Sequence, residues 1–260
     1  MKVLFIGDIV GESGRKALRR GLSNITERLK IDFVIANVEN AAGGFGITKD
    51  IGEEILSLGV DVLTSGNHIW DKKEAVSYIA EEQRLLRPAN YPEDVPGQGS
   101  IIIKTHNGEK IAVLNITGRV FMNQADNPFR VSKREILKLK KHTNIIIVDF
   151  HAEATSEKSA FGWFLDGEAT AVIGTHTHVQ TADETILPKG TAFITDVGMT
   201  GPINSVIGIK KEIILRKFLT YMPARFETAK GKSLLSAVVI DIDTKSGNAK
   251  NIERLQLKFS

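Results

Sequence analysis

Residues 3–11 read Val-Leu-Phe-Ile-Gly-Asp-Ile-Val-Gly, an apolar run that ends in a glycine and a carboxylate. Such a run is typical of a buried strand, and Asp8 stands where that strand would end. The same arrangement returns at residues 37–40, Asn-Val-Glu-Asn, which close the apolar run 33–36. Because an open α/β sheet builds its active site at the carboxyl ends of its strands, we expect Asp8 and Glu39 to emerge at one edge of the same sheet.

Three further apolar runs end in residue types that bind metals. Asn67 and His68 follow Val62-Leu63, His151 follows the run 145–148, and His-Thr-His at 176–178 follows the run 171–173. Five strands would then deliver His, carboxylate and amide side chains to one place. The candidate residues are Asp8, Glu39, Asn40, Asn67, His68, His151, His176 and His178.

Composition limits what this site can contain. The chain has 260 residues and no cysteine, which excludes disulfides, thiolate catalysis and cysteine-ligated metals. With 34 basic against 31 acidic residues the net charge is only +3, so bulk charge does not support stable nucleic-acid or membrane binding. No apolar stretch has the length of a transmembrane helix, and the N-terminal run is too short for a signal peptide. We therefore expect a cytoplasmic protein.

The order of apolar runs predicts an α/β fold in one domain over residues 1–260. Apolar runs alternate with helical segments through most of the chain, whereas the last third shows hairpin patterns. Two sheets packed face to face with helices outside, a four-layer α-β-β-α sandwich, accommodate both halves. Irregular stretches at 88–99 and 118–130 predict a small cap or lid from within 88–130. The expected strands are 2–8, 33–38, 61–65, 100–104, 111–116, 144–149 and 170–174.

Helical spacing predicts five helices. The first carries the apolar stripe Leu18, Leu22, Ile25 and Leu29, with Ser13 as its N-cap. The second begins at Thr48 and ends before Gly59, and the others cover 71–82, 133–142 and 157–165.

His-Thr-His at 176–178 offers two imidazoles from one segment. On an extended backbone, side chains at i and i+2 point the same way, so both would reach adjacent ions. Asp8 and Glu39 are carboxylates at strand ends, where an unpaired charge is costly to desolvate and a cation removes that cost. A glutamate between two ions can bridge them, and two metals about 3.5–4 Å apart suit in-line displacement at phosphorus.

The two Asn-containing strand ends suggest different roles. Asn40 and Asn67 would fill coordination sites without adding negative charge, although each asparagine alone equally fits a turn or a helix cap. His68 is poorly placed to bind the same ion as Asn67, so we interpret it as the proton donor to the leaving-group oxygen. Asp71 either orients that imidazole or caps the helix that begins there.

Several other patterns narrow the chemistry. Mixed His, carboxylate and amide ligation favours iron, manganese or zinc over calcium. The glycine-rich residues 42–46 lack the Lys and Ser/Thr of a P-loop, so we expect a tight turn beside the site. No Gly-x-Ser-x-Gly elbow supports a serine hydrolase. His106 and His142 are expected at the surface.

Six ordered motifs resemble those of the calcineurin-like metallophosphoesterases, and more closely those of their YmdB-like subgroup. Val10 stands where the superfamily's first Asp-x-His motif has histidine, and Glu39 stands where a bridging aspartate is usual. Both are the expected forms in the subgroup. The motifs lie at 7–11, 37–44, 66–71, 149–153, 174–178 and 198–202, and so extend over nearly the whole chain.

The resemblance implies a dinuclear phosphodiesterase that hydrolyses phosphodiesters such as 2′,3′-cyclic nucleotides by metal-activated hydroxide, and that forms homo-oligomers. It implies two divalent or transition metal ions per chain, with iron or manganese favoured and zinc or magnesium compatible. The implied ligands are Asp8, Glu39 and His178 for one metal and Glu39, Asn67, His151 and His176 for the other, with Asn40 near the first metal and His68 as the catalytic acid.

Two alternatives remain open at this stage. A metal-dependent amidohydrolase also uses a His-x-His pair, but there the pair usually ends the first strand, whereas here the first strand ends at Asp8. A regulatory, RNA-associated protein that retains a metal site is the other alternative, and the near-neutral charge gives it little support.

Overall fold

The apolar runs form two β-sheets in the computed structural model, which describes residues 1–260. The first sheet has the order β2-β11-β12-β1-β3-β4, with β13 paired to β12, and the second has the order β5-β6-β7-β8-β10-β9. The strands of the first sheet are β1 (Lys2–Ile6), β2 (Asp8–Ile9), β3 (Phe33–Asn37), β4 (Val62–Thr64), β11 (Met199–Pro202), β12 (Ser233–Ile242) and β13 (Ala249–Phe259). Those of the second are β5 (Ser100–Lys104), β6 (Lys110–Thr117), β7 (Ile146–His151), β8 (Ala171–Thr175), β9 (Thr185–Ile186) and β10 (Ala192–Ile194).

Each sheet is covered on both faces, which explains why its inner strands are apolar at every position. In β1, Val3 and Phe5 face the second sheet, while Leu4 and Ile6 face the helices on the other side. Successive side chains of a strand point to opposite faces, so one continuous apolar run serves both cores. The predicted four-layer α-β-β-α sandwich is confirmed.

Helices form the two outer layers. Three of them pack on the first sheet and two on the second, where the Phe161 ring stacks on Phe150 at 3.9 Å. No helix combines the length and the apolar character needed to cross a bilayer. The helices are α1 (Gly11–Leu29), α2 (Lys49–Ser57), α3 (Ala75–Glu81), α4 (Pro128–Leu139), α5 (Thr155–Phe164) and α6 (Lys211–Thr220).

Helix starts differ from those expected. The prediction of Ser13 as the first N-cap is wrong, because α1 already begins at Gly11, after Val10, and the buried Ser13 hydroxyl donates to Ala229 O at 3.2 Å. Helix α4 begins five residues before 133, because the Asn127 side chain accepts from the first free backbone N–H groups of the helix. Helix α6 was not predicted.

The segment 88–130 supplies both loops and sheet. Its strands β5 and β6 form an antiparallel pair at the edge of the second sheet. The loop before β5 is held by the Arg87 guanidinium, which donates to the carbonyls of Pro88, Val95 and Pro96. A cap from within this segment stays a prediction.

Candidate metal centre

The sequence-predicted site residues lie together where strands of both sheets end. The first sheet contributes Asp8 on β2, and the turns after β3 and β4 contribute two residues each. The second sheet contributes His151 at the end of β7, and His176 and His178 directly after β8. The site therefore bridges the two inner layers of the sandwich.

One group of atoms surrounds His151 Nε2. This nitrogen lies 3.0 Å from Glu39 Oε1, 3.1 Å from Asn67 Oδ1 and 3.0 Å from His176 Nδ1. Ligand atoms of Glu39, His151 and His176 all lie within 4.8 Å of one another. We call these four residues the Glu39–His151 cluster.

A second group surrounds His178 Nε2, which lies 3.2 Å from Asn40 Oδ1 and 3.8 Å from Asp8 Oδ1. The Asn40 side chain is oriented by its Nδ2, which donates to Gly44 O at 2.9 Å, so that its oxygen faces the histidine. Asp8 is fully buried. We call Asp8, Asn40 and His178 the Asp8–His178 cluster.

In two histidines, the ring nitrogen that faces away from the clusters lies within hydrogen-bond distance of an oxygen acceptor. His178 Nδ1 lies 2.9 Å from Ile207 O, and His176 Nε2 lies 3.0 Å from Glu153 Oε2. A carbonyl or carboxylate oxygen only accepts, so each ring proton lies on that side and the lone pair of the other nitrogen faces the cluster. Proteins commonly orient histidine ligands for metals in this way.

His151 is oriented by a buried polar chain. Its Nδ1 lies 2.9 Å from Thr175 Oγ1, and that hydroxyl donates to Asp149 Oδ1 at 2.7 Å. Asn37 Nδ2 donates to the other Asp149 oxygen at 3.0 Å. Because the Thr175 proton is directed at the carboxylate, its oxygen accepts from His151 Nδ1–H, and Nε2 faces the cluster. All four side chains are fully buried.

Acceptors outnumber donors in both clusters, and this is the condition in which a cation binds. Asp8 Oδ1 and Glu39 Oε1 are buried, and neither accepts a hydrogen bond of good geometry. A buried carboxylate oxygen without a partner is costly, and a metal ion removes that cost. The residues present therefore fit a pair of metal ions held by nitrogen and oxygen.

The carboxylates of the site favour the protonated form of His151. Burial lowers the pKa of this imidazole, but Glu39 and other carboxylates outweigh burial and raise it to about 9. Burial raises the pKa of Glu39, and His151 reverses this and lowers it to about 2. Burial and the neighbouring His151 lower the pKa of His176 to about 3. Since histidine must be neutral to bind a metal, a cation would displace the His151 proton.

The backbone around His-Thr-His is not extended, so that prediction is wrong. Strand β8 ends at Thr175, and His176 and His178 have φ of 97° and 67°, in the left-handed region that L-residues rarely adopt. Such residues persist only where their surroundings hold them. The two imidazoles consequently serve different clusters from a turn.

A buried ion pair holds this turn in place. Lys158 Nζ donates to Asp196 Oδ2 and to Thr175 O, both at 2.6 Å. The same Asp196 oxygen accepts from the Thr177 backbone N–H at 3.0 Å and from its hydroxyl at 2.8 Å. Lys158 and Asp196 are fully buried and reach the backbone between the two histidines. The pair therefore positions both imidazoles without touching either cluster.

Gly66 allows His151 to reach the clusters. A Cβ atom at this position would lie 2.1 to 2.4 Å from the His151 ring, closer than any real contact. Residue 66 precedes Asn67 and His68, so the absence of a side chain lets the turn after β4 lie directly on the imidazole. This close approach accounts for the glycine in the motif 66–71.

His68 lies at the side of the site. Its Nδ1 is 2.8 Å from Asp71 Oδ2, and its ring packs edge-on against Phe45 at 5.0 Å. Of its hydrogen bonds, the one that reaches a predicted metal ligand comes from the backbone N–H, which donates to Glu39 Oε2 at 2.9 Å. Asp71 therefore orients this imidazole, and α3 begins four residues later, at Ala75.

Sequence reasoning missed the residues that support the ligands. Asp149 is the one charged residue in the apolar run 145–150. Such a position indicates a buried carboxylate with a structural partner, so this residue could have been found from the sequence. Glu153 ends the motif at 149–153, and its contact with His176 was not predicted. Lys158 and Asp196 gave no local signal, because their pairing joins α5 to the segment after β10.

We expect Thr175→Val to weaken metal binding by about 10–100-fold, the usual effect of losing a partner of a metal-binding histidine. The valine fills the same volume but cannot accept from His151 Nδ1–H. Thr191→Val is the matched control, because this buried hydroxyl serves only backbone groups of residues 165–169. Metal affinity is measured by competition with a chelating dye. Equal affinities in both variants would contradict the orienting role of Thr175.

A cavity of about 310 Å³ opens over both clusters. Its polar lining is formed by cluster residues together with His68 and Glu153. The apolar lining comes mainly from residues 206–226. A substrate would therefore meet both ligand side chains and hydrocarbon in this cavity.

The chain is similar to known proteins over almost its full length. A family model described as YmdB-like protein matches residues 4–255. A Bacillus subtilis (strain 168) protein named 2′,3′-cyclic-nucleotide 2′-phosphodiesterase is 50% identical over 255 residues, 98% of this chain and 96% of that protein. The crystal structure of a hypothetical protein from Thermus thermophilus has a TM-score of 0.92 and 41% identity over 99% of both chains. That of a novel phosphatase from Mycoplasma pneumoniae has a TM-score of 0.93 and 36% identity, covering 99% of this chain and 93% of the other.

Proposed function

The chain belongs to the YmdB-like family, and from this membership and the site geometry we propose that it is a metal-dependent phosphodiesterase acting on 2′,3′-cyclic nucleotides. The observation that carries the proposal is the pair of clusters in which histidine nitrogens converge with buried carboxylate and amide oxygens. The Glu39–His151 and Asp8–His178 clusters would each hold one cation, with Glu39 between them. Mixed nitrogen and oxygen ligation favours iron or manganese.

The cations, when bound, would supply a water of lowered pKa and neutralise charge on the phosphoryl oxygens. The protein's own part is positional. The buried chain from Asn37 to His151 and the Lys158–Asp196 pair hold the imidazoles before substrate arrives, so little reorganisation is needed during the reaction.

His68 would act as the general acid. In hydrolysis of the cyclic diester, water adds to phosphorus, the bond to the ribose 2′ oxygen breaks, and that oxygen takes up a proton. Asp71 accepts from His68 Nδ1–H, which directs Nε2 away from Asp71 as the nitrogen that delivers the proton. The product would be a nucleoside 3′-phosphate, in agreement with the name of the Bacillus subtilis relative.

We expect the purified protein to hydrolyse 2′,3′-cyclic AMP and bis(p-nitrophenyl) phosphate, to lose activity with a chelator and to regain it with Mn²⁺ or Fe²⁺. An amide and carboxylic-ester panel run in parallel tests the amidohydrolase alternative. Elemental analysis of protein purified without added metal gives the number of ions per chain, for which we expect two. Full activity of the metal-free protein, or activity on amides alone, would refute the proposal.

Homo-oligomer formation and a cytoplasmic location stay predictions beside this function. A regulatory role through partner binding is the remaining alternative. It predicts binding without turnover, which the same phosphodiester assay distinguishes.

A further inference from the structure

The apolar side of the cavity comes from a part of the chain that contains no predicted ligand. It is formed by Ile207, Ile209, Ile214, Phe218 and Phe226, which we call the apolar wall. Two of these side chains are largely open to solvent, Ile207 with 50% and Phe218 with 73% of its surface exposed. Large apolar side chains beside a polar site are favourably covered by a ligand with a flat hydrocarbon face.

The wall is attached directly to the Asp8–His178 cluster. His178 Nδ1 donates to Ile207 O at 2.9 Å, and Ile207 has a φ of 45°, a conformation that β-branched residues rarely adopt. The backbone at Ile207 is therefore held within hydrogen-bond distance of the His178 imidazole. A ligand whose phosphate lies on the clusters would have its other end at the wall.

The chemistry of the wall indicates what that end is. Phe218 presents an exposed aromatic ring, and aromatic rings stack on nucleobases of every kind. Phe226 is less available, because Lys217 Nζ lies 4.5 Å from its ring centroid. None of the wall side chains has a hydrogen-bonding group, so the wall cannot read the Watson–Crick edge of a base.

We propose that the apolar wall is a nucleobase subsite that accepts all four bases, with Phe218 as its stacking residue. This subsite rests on the proposed function and specifies its substrate class as nucleoside cyclic phosphates. Contacts with the base would contribute to substrate affinity. The cavity volume of about 310 Å³ is within the range of small-ligand sites. Selectivity among bases would then be weak, whereas selectivity for a base over none would be clear.

The test compares Phe218→Ala with Leu219→Ala. Both residues lie on the exposed surface of α6, with 73% and 83% of their surface exposed, but only Phe218 lines the cavity. The substrates are the four 2′,3′-cyclic nucleotides and 1-O-methylribose 2′,3′-cyclic phosphate, which has the same reacting group and no base. We expect Phe218→Ala to raise KM for the nucleotides about tenfold with little change in kcat, the order expected for loss of one stacked base.

The base-free substrate and the control variant distinguish loss of base stacking from a general effect on the active site. Phe218→Ala should leave kcat/KM for the methylribose compound unchanged, and Leu219→Ala should resemble the wild type on every substrate. Calorimetric binding of 3′-AMP to the two variants gives a readout independent of turnover.

Two outcomes would overturn the subsite. Equal loss on nucleotides and on the methylribose compound would show that Phe218 acts only structurally, and unchanged KM for nucleotides would show that no base stacks there. If the wild-type protein cleaved none of these substrates, the proposed function itself would fail. The two failures are therefore distinguishable.

Discussion

Glu39→Ala should lose more metal than any other single substitution and reduce phosphodiesterase activity by at least about 10³-fold. The expectation follows from the proposed role of Glu39 as a ligand shared by two cations. Its Oε1 lies beside His151 Nε2, and its Oε2 accepts from the backbone N–H of His68. A carboxylate between two cations serves both, whereas each histidine serves one. Loss of several kcal/mol of charge stabilisation corresponds to a rate loss of this size.

Metal content per chain after dialysis is the measurement, with Glu168→Ala as the control. Glu168 is an exposed carboxylate that pairs only with Lys140, so its removal should leave both metals and full activity. Melting temperatures of the metal-free proteins separate ligand loss from misfolding. If His151→Ala emptied both positions while Glu39→Ala kept both, Glu39 would not be the bridge.

His68→Ala should keep both metals and a near-native melting temperature while turnover of 2′,3′-cyclic AMP falls by roughly 10²–10⁴-fold, the usual contribution of a positioned general acid. The structure explains why metals should remain. Only the backbone N–H of His68 contacts Glu39, and alanine keeps that group. The imidazole contacts Asp71 and Phe45, neither of which belongs to a cluster.

The size of the His68 effect should depend on the leaving group. A ribose alkoxide needs the proton, whereas p-nitrophenolate leaves readily without it, so the defect on bis(p-nitrophenyl) phosphate should be much smaller. Asp71→Asn provides a graded variant, because it keeps the imidazole and weakens only its orientation. We expect a smaller defect with the same dependence on leaving group. Equal defects on both substrates, or metal loss from His68→Ala, would assign His68 to phosphate binding or coordination instead.

The strand ends were predictable because their signals are local. Each strand that precedes a candidate ligand contains a short apolar run, and the polar residues that follow this run mark both the end of the strand and the candidate ligand. Parallel neighbours then bring those ends to one edge, which is how Asp8 and Glu39 could be placed at one edge of the same sheet from sequence. The hairpins β9–β10 and β12–β13 were predictable from their turn residues for the same reason.

The conformation of His-Thr-His was not predictable, because its cause is remote. An isolated strand would continue past Thr175, and the spacing of the two histidines fits that continuation. The turn is instead imposed by Asp196, which binds Thr177, and by Lys158, which binds Thr175 O. Contacts between residues so far apart in the sequence leave no pattern near the histidines from which the turn could be predicted.

Helix α6 was missed for a different physical reason. Of its ten residues only Ile214 is buried, so its apolar side chains do not form the single buried stripe that identifies an amphipathic helix. Leu215, Phe218 and Leu219 instead face solvent or the cavity. A pattern rule that assumes burial of apolar residues cannot place such a segment.

The position of β12 determines when during synthesis the protein can become active. Met1 pairs with Ile242, 241 residues away in the sequence, and β12 runs beside β1 on one side and β13 on the other. Asp8 is itself paired with Met199 of β11, which β12 also holds. Such distant pairings form late in folding, because the chain between them must first be closed into a loop. All histidines of the site precede β12 in the sequence, so we expect the strands that support Asp8 to be completed only after residues 233–259 have been synthesised.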